Sequence, residues 1–280
     1  MKQTCQVRYS SHPDDSKHYD TATLRKNFLI DKLFAPDEVL MTYTMVDRMI
    51  AGGAMPVAGK IELKPADILR SDFFTSRREL GIINVGGKGT VTVDGKAYAL
   101  DFKEGLYIGK GDKKIFFESA DKGRPAKFYF NSATAHATFP DRKITKADAI
   151  VREMGSMEES NHRFIRRMIV GEVLPTCQLQ MGMTELLPGS VWNTMPAHTH
   201  DRRMEVYFYF EVPEGQAVCH FMGEPAETRH IWMSGEQAVV SPQWSIHSAC
   251  ATSNYTFIWG MCGENIAYDD MDWCKTDELK

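Results

Sequence analysis

The feature that most constrains the fold is the segment from Pro196 to Phe210, which reads P-A-H-T-H-D-R-R-M-E-V-Y-F-Y-F. His198 and His200 are two residues apart, and on a β-strand such residues point to the same face. The run E-V-Y-F-Y-F alternates, which places Glu205 and Tyr207 together on one face. The segment therefore predicts β-strands that bring imidazole and carboxylate groups together.

This segment cannot be one regular β-strand if all of its candidate ligands face the same point. The two histidines have even numbers and the glutamate has an odd one, so one regular strand cannot aim all three at one point. A turn or bulge at Asp201-Arg202-Arg203-Met204 would correct the phase, because bulges often re-aim side chains beside active sites. The best candidate for a fourth ligand is His247, in S-P-Q-W-S-I-H-S. The sequence thus predicts one metal ion bound by four residues: His198, His200, Glu205 and His247. Three imidazoles and a carboxylate suit zinc, iron, manganese, nickel or cobalt.

The rest of the chain has the pattern of an all-β protein. Short runs of strand-forming residues recur between turn residues from Glu38 onward, and the segment from Thr90 to Tyr98 predicts a hairpin with an Asp-Gly turn. One short helix is predicted between Thr21 and Leu33, with Thr21 or Thr23 as its cap.

A charged segment from Pro140 to Arg163 interrupts the strand pattern, and Lys146 to Met157 within it has helical propensity. We interpret this segment as a linker between two β halves. We therefore expect an all-β protein with two β-sandwich or jelly-roll barrels and a few short helices, divided into residues 1–150 and 151–280.

Composition excludes several classes of protein. The chain has 280 residues, 43% of them hydrophobic, and a formal net charge of −4. It therefore lacks the basic patch typical of nucleic-acid binding, and it has no apolar run near the roughly 18 residues of a membrane span. The six cysteines are scattered, without a C-x-x-C pair. Together with an N-terminus that lacks an apolar signal segment, they predict a cytoplasmic protein with reduced thiols.

Two motifs resemble the cupin superfamily. The H-x-H-x4-E spacing matches the first cupin metal motif, and Gly235, Pro242, Trp244 and His247 approximate the second. One extra residue precedes the proline, and Trp244 stands where glycine is usual. Longer segments resemble the 5-keto-4-deoxyuronate isomerase family within that superfamily: L-x-P-G-x-x-W-N-T-M-P-x-H-T-H-x-R-R-M-E-V-Y-F-Y-F, R-R-E-L-G-I-I-N-V-G-G, S-P-Q-W-S-I-H-S and Y-T-F-I-W-G-M-x-G-E-N. The resemblance covers nearly the whole chain.

This resemblance implies a bicupin that binds one zinc ion per chain and assembles as a hexamer. It implies a ketol-isomerase that converts 5-dehydro-4-deoxy-D-glucuronate to 3-deoxy-D-glycero-2,5-hexodiulosonate in the breakdown of pectin and other uronates. The N-terminal half has no H-x-H, and Lys110, Lys113 and Lys114 occupy the region where a cupin histidine would fall. We expect that half to bind no metal and to serve in packing and assembly.

The substrate carboxylate needs a cationic partner, for which Arg202, Arg203 and Arg229 are the candidates because a guanidinium can hold a carboxylate bidentately. The base that moves the proton is not identified by the sequence. Its candidates are polar residues near the predicted barrel: Glu185, Glu205, Tyr207, Gln243 and Tyr255.

Two other functions use the same ligand set. An iron-dependent cupin dioxygenase would have three histidines and one glutamate, and a non-catalytic binder of sugar acids would need only the pocket. Composition and spacing indicate a metal-dependent cupin, and the family resemblance favours the isomerase.

Overall fold

The computed structural model describes residues 2–280, and most of its elements are β-strands. Strands β1 to β12 are Lys2–Arg8, Leu29–Ile30, Glu38–Thr44, Ile50–Ala54, Ile61–Leu63, Arg78–Asn84, Gly89–Val93, Lys96–Leu100, Gly105–Ile108, Ile115–Ser119, Phe128–Thr134 and Arg142–Ile144. Strands β13 to β24 are Ile150–Met154, Arg163–Ile169, Gln180–Leu186, Trp192–Asn193, His198–Thr199, Arg203–Phe210, Val218–Glu224, Glu227–Met233, Gln237–Ser241, Ser248–Ala251, Thr256–Gly263 and Asp272–Trp273. Helices α1 and α2 are Pro13–Ser16 and Thr21–Phe28, and 3-10 turns cover Asp67–Leu69 and Thr276–Glu278. The predicted all-β class is confirmed.

Helix α2 confirms the predicted N-terminal helix, but its cap is a different residue. The carboxylate of Asp20 accepts a hydrogen bond from the Thr23 N–H at 2.7 Å, so Asp20, not Thr21 or Thr23, is the N-cap. An aspartate in this place satisfies an amide group that has no partner within the helix. Within residues 2–280, no helix combines the length and the apolar character that crossing a membrane requires.

The expected helical propensity over residues 146–157 is wrong. Ile150–Met154 forms strand β13, which pairs antiparallel with β14. Four of its five residues are exposed. Pairing with a neighbouring strand has overridden local propensity here, as tertiary context often does.

The chain forms two compact units. The first comprises residues 2–8, 32–149 and 168–181, and the second comprises residues 9–31, 150–167 and 182–280. The units therefore change over near residue 150, but residues 9–31 belong to the second unit and residues 168–181 to the first.

The first unit contains a seven-stranded sheet in the order β1-β3-β4-β11-β6-β9-β12 and a four-stranded sheet in the order β5-β10-β7-β8. The hydrophobic core draws residues from both sheets, including Leu80 and Phe130 from the larger and Val91 and Phe117 from the smaller. Strands β7 and β8 are joined by Asp94 and Gly95, which both have positive φ, so the predicted hairpin is confirmed.

The second unit repeats this organisation. Its seven-stranded sheet has the order β13-β14-β15-β23-β18-β21-β2, and its four-stranded sheet has the order β16-β22-β19-β20. Strand β17 pairs separately with β24, so that His198 lies opposite Trp273. This unit contains all four predicted metal ligands.

Candidate metal centre

The four predicted ligands converge in the second unit. His198 lies on β17, Glu205 on β18, and His247 directly before β22. A turn at 201–202 separates β17 from β18, which is the break in phase that the sequence required. One ligand atom from each of His198, His200, Glu205 and His247 lies within 4.8 Å of the other three. This is the one such group of three or more possible ligands among residues 2–280.

The separations between these atoms are those of groups that share a cation. Nε2 of His247 lies 2.9 Å from Nε2 of His198 and 3.0 Å from Oε2 of Glu205. Oε2 of Glu205 is also 3.2 Å from Nε2 of His200. The nitrogen lone pairs of neutral imidazoles repel at such distances unless a cation or a shared proton lies between them. The exposed fractions are 6% for His198, 2% for His200, 4% for Glu205 and 1% for His247, so water does not separate the groups.

Backbone carbonyls orient two of the imidazoles. Nδ1 of His200 lies 2.9 Å from the carbonyl oxygen of Arg203, and Nδ1 of His247 lies 3.4 Å from that of Ser245. We assign the proton to Nδ1 in both, which leaves Nε2 with a lone pair directed at the centre. Such support is typical of metal-ligating histidines. The ring of His198 instead packs against Trp273, with 5.1 Å between centroids.

Burial and neighbouring charges set the protonation states. Burial lowers the pKa of His198 well below its ordinary value, and the nearby His247 and His200 lower it further. Burial acts to raise the pKa of Glu205, but the electrostatic effect of His247 and the hydrogen bonds with His200 and His247 outweigh it and hold this pKa below its usual range. A neutral imidazole and an ionised carboxylate are the forms that bind metal. The donor set fits a divalent cation held by three nitrogens and one oxygen.

The centre opens into a cavity of about 650 Å³, within the roughly 300–1,000 Å³ typical of small-molecule sites. His198, His200 and Glu205 lie in its wall, together with Tyr207. The hydroxyl of Tyr207 is 3.0 Å from Oγ1 of Thr194, which also lines the cavity. A small organic substrate can therefore reach the metal ligands.

The other residues proposed for proton transfer lie away from this wall. Glu185 is ion-paired with Arg166 at 2.7 Å. The hydroxyl of Tyr255 accepts a hydrogen bond from Asn193 at 2.7 Å inside the barrel. These two residues and Gln243 are not among the cavity-lining residues, whereas Glu205 and Tyr207 are.

The three arginines proposed for the substrate carboxylate have protein partners. Arg202 bonds to Asp270 at 2.8 Å and to Asp272 at 2.7 Å. Arg203 is fully buried and bonds to the carbonyl oxygens of Ala267 and Tyr268. These two arginines therefore hold the C-terminal segment, whose Tyr268 and Trp273 form part of the cavity wall.

Arg229 donates to the carbonyl oxygens of Lys17 at 2.9 Å and Tyr19 at 2.6 Å. Neither it nor Arg202 or Arg203 lines the cavity. Sequence reasoning instead missed three arginines that do line it: Arg152, Arg163 and Arg167. The signal for Arg163 and Arg167 is the alternation of R-F-I-R-R in β14. Arg152 lies on β13, and both Arg152 and Arg163 fall within the segment that was interpreted as a linker.

The model of the KduI/IolB family matches residues 29–276. A 4-deoxy-L-threo-5-hexosulose-uronate ketol-isomerase from Bacteroides thetaiotaomicron is 62% identical over 280 residues, covering all of both chains. A protein of the same name from Formosa agariphila is 57% identical over 280 residues, also covering all of both chains.

Solved structures support the fold. An IolB-like protein from Salmonella typhimurium has a TM-score of 0.67 at 15% identity, and the match covers 81% of this chain and 87% of that one. An oxalate decarboxylase from Lactobacillus farciminis has a TM-score of 0.55 at 12% identity, covering 80% of this chain and 79% of that one. At these identities the likeness concerns the fold alone.

Proposed function

Since this chain belongs to the KduI/IolB family, we propose that it is a metal-dependent ketol-isomerase acting on 4-deoxy-L-threo-5-hexosulose uronate, which it converts to 3-deoxy-D-glycero-2,5-hexodiulosonate. The observation that carries the proposal is the buried group of three histidines and one glutamate at the wall of a substrate-sized cavity. The full-length relatives that bear this enzyme name supply the substrate.

The reaction moves a proton between the two carbons at the aldehyde end of the substrate. A divalent cation held by His198, His200, Glu205 and His247 would stabilise the negative charge that develops on the two oxygens. The chain itself has to supply a base and a proton donor.

Among the five residues put forward for proton transfer, Glu205 and Tyr207 line the cavity. Near neutral pH a carboxylate is ionised and a phenol is protonated. We therefore propose that Glu205 leaves the cation to act as the base, and we assign a donating role to the hydroxyl of Tyr207, which Thr194 holds in place at 3.0 Å. Burial of the site excludes bulk water and strengthens these interactions.

The metal, the assembly and the pathway in this proposal rest on the family resemblance, and the cellular location rests on the cysteine thiols. We propose zinc as the metal, one ion per chain, a hexameric assembly, and a role in pectin or other uronate catabolism. Six free cysteines support a cytoplasmic location. We also propose that residues 1–150 form a cupin-like domain without metal and residues 151–280 the metal-binding domain.

The test combines metal analysis with turnover of the enzymatically prepared substrate, for the wild type and His247→Ala. We expect about one metal ion per wild-type chain, and loss of both the metal and at least roughly 10³-fold in rate in the variant, because a bound cation supplies several kcal/mol of charge stabilisation. His136→Ala is the matched control, since His136 is exposed and lies in the first unit.

Three results would contradict the proposal. A variant that lacks metal but keeps its rate would make the metal structural. Consumption of oxygen with ferrous iron would identify a dioxygenase. Metal-replete wild-type protein that binds the uronate without turnover would be a sugar-acid binder.

A further inference from the structure

One wall of the cavity is cationic, and its charges come from the hairpin of β13 and β14. Residues in β14 alternate between the two faces of the sheet, and Arg163, Ile165 and Arg167 line the cavity while Arg166 does not. In the antiparallel pair, Met154 lies opposite Arg163 and Arg152 opposite Ile165. Arg152 and Arg163 are therefore diagonal neighbours on the cavity face.

Arg163 is the arginine of this wall with capacity for a ligand. Its Nη1 donates to the carbonyl oxygen of Asn161 at 2.7 Å, and its Nε and Nη2 make no hydrogen bond within residues 2–280. Neither Arg163 nor Arg152 forms an ion pair with a carboxylate in that range, although Glu159 lies near enough to act on Arg163 electrostatically. By contrast, Arg166 on the opposite face is ion-paired with Glu185 at 2.7 Å.

Arg167, in contrast, contacts an aromatic ring of the protein. Its guanidinium lies over the ring of Tyr268 at 5.2 Å from the centroid, and its exposed fraction is 3%. Arg163 is only half-buried, so its guanidinium is both accessible from the cavity and partly desolvated. A partly desolvated cation without an ion-paired carboxylate is unfavourable, and an incoming carboxylate would relieve that cost.

Arg163 lines the same cavity as three of the metal ligands, His198, His200 and Glu205. Tyr207 also lines it, and its ring meets that of the fourth ligand, His247, edge-on at 5.4 Å between centroids. One cavity therefore presents metal ligands on one part of its wall and a guanidinium on another. The proposed substrate has the matching arrangement, with an aldehyde at one end and a carboxylate at the other.

We propose that Arg163 binds the substrate carboxylate, with Arg152 adding positive charge beside it, and thereby directs the aldehyde end to the metal group. The inference rests on the proposed function for the identity of the substrate. It assigns the carboxylate to Arg163 in place of the sequence-based candidates Arg202, Arg203 and Arg229.

The test is steady-state kinetics of Arg163→Gln and Arg163→Lys with the uronate and with its methyl ester, which has no charge. For Arg163→Gln we expect KM for the uronate to rise roughly ten- to hundredfold, the range for loss of a charge-assisted hydrogen-bonded pair, with a smaller change in kcat and unchanged metal content. The wild type should prefer the uronate to the ester, and the glutamine variant should lose that preference. Arg163→Lys should restore part of this preference, because lysine keeps the positive charge but lacks the paired N–H donors with which a guanidinium holds a carboxylate.

Arg166→Gln is the matched control on the same strand. It breaks the ion pair with Glu185, so the melting temperature should fall while KM and the preference for the uronate stay as in the wild type. That result separates carboxylate binding from a general effect on the strand.

An unchanged KM and an unchanged preference over the ester in Arg163→Gln would overturn the inference while leaving the isomerase intact. If the wild type does not turn over the substrate at all, the proposed function fails, and calorimetric titration with D-glucuronate then decides the role of Arg163. Weaker binding by Arg163→Gln would support an acidic-sugar subsite, and equal binding would refute it.

Discussion

Strand β18 of the second unit has a counterpart in β6 of the first, and the two differ in where the glutamate falls. Strand β18 lies between β23 and β21, and β6 lies between β11 and β9, so that the two strands occupy the same place in their seven-stranded sheets. Glu205 is the third residue of β18 and pairs with Ser241, the last residue of β21. Leu80 is the third residue of β6 and pairs with Ile108, the last residue of β9. Leu80 therefore holds the position of Glu205.

The first unit has its own glutamate one residue earlier, at Glu79. Because side chains alternate along a strand, this shift moves the carboxylate to the opposite face. Glu79 accepts hydrogen bonds from the N–H groups of Cys177 at 2.9 Å and of Gln178 and Leu179 at 2.8 Å each. It also accepts one from the hydroxyl of Tyr107 at 2.7 Å. The glutamate of β18, Glu205, thus belongs to the metal group. The glutamate of β6, Glu79, is instead a structural anchor that holds the backbone of residues 177–179.

The largest expected effect comes from giving β18 the residue of β6. Glu205→Leu should abolish metal binding and lower the isomerase rate by at least roughly 10³-fold, because the cation and the proposed base are lost together. The metal-free variant should also be less stable than the metal-free wild type, because His200 and His247 lose the buried carboxylate that they contact. Metal content, turnover and urea unfolding measure the three quantities.

The reverse change in the first unit is the control for this comparison. Leu80→Glu places a carboxylate in an apolar core with no histidines around it, and should destabilise the protein by about 3 kcal/mol or more without creating a metal site. Retained metal in Glu205→Leu would show that Glu205 is not a required ligand, and a second metal ion in Leu80→Glu would show that the first unit supplies other ligands around position 80.

Substitution of the anchor residue, Glu79, should have a smaller effect, and it should change only the stability of the protein. Glu79→Gln keeps the shape but replaces an acceptor oxygen with an amide group that donates, so it would face the N–H of Cys177 or that of Gln178. We expect a loss of about 2–3 kcal/mol in the free energy of unfolding, the scale for hydrogen bonds to a buried charge. Metal content and KM should not change. A variant as stable as the wild type would remove Glu79 from the role of anchor.

The sequence could predict that these four residues lie together because their types carry metal chemistry and their spacing survives folding, and their binding of a metal stays a prediction. His198 and His200 could be proposed from their spacing, Glu205 from a break in phase before β18, and His247 as the best candidate for a fourth ligand. The Asp94-Gly95 hairpin was equally accessible, because both residues tolerate the positive φ that the turn requires.

The cationic wall could not be predicted in the same way. Arg163 lies in a charged segment whose composition is typical of a linker, and it faces the cavity only because β14 pairs with β13 and β15. Arg203 was proposed for the substrate because a guanidinium can hold a carboxylate bidentately, yet its guanidinium points to the C-terminal segment. Residue type suggests that an arginine can bind an anion, but tertiary pairing decides which anion it meets.

The interiors of the two units differ in polarity as well. Between the sheets of the first unit lie apolar side chains such as Phe117 and Phe130, whose rings stack at 6.4 Å. The corresponding space in the second unit holds His220, which is fully buried and has Nδ1 2.8 Å from the hydroxyl of Tyr209. Burial lowers the pKa of His220 to about 3, with a further contribution from His247.

This contrast predicts where acid sensitivity arises, and it carries the smallest effect of the series. Unfolded chains bind a proton at His220 near its ordinary pKa of 6.5, whereas the folded chain does so only at about 3. The folded state is therefore favoured fully above pH 6.5 and loses stability as the pH falls through this window. Between pH 6.5 and 5.5, metal-free wild type should lose about 1 kcal/mol more than metal-free His220→Gln, measured by urea unfolding in the presence of a chelator. His198 also has a lowered pKa, but it is present in both proteins, so its contribution cancels in the difference. At pH 8, the difference in the free energy of unfolding between the two proteins gives the packing cost of the substitution alone. Parallel losses in the two proteins would place the acid-sensitive group elsewhere in the second unit.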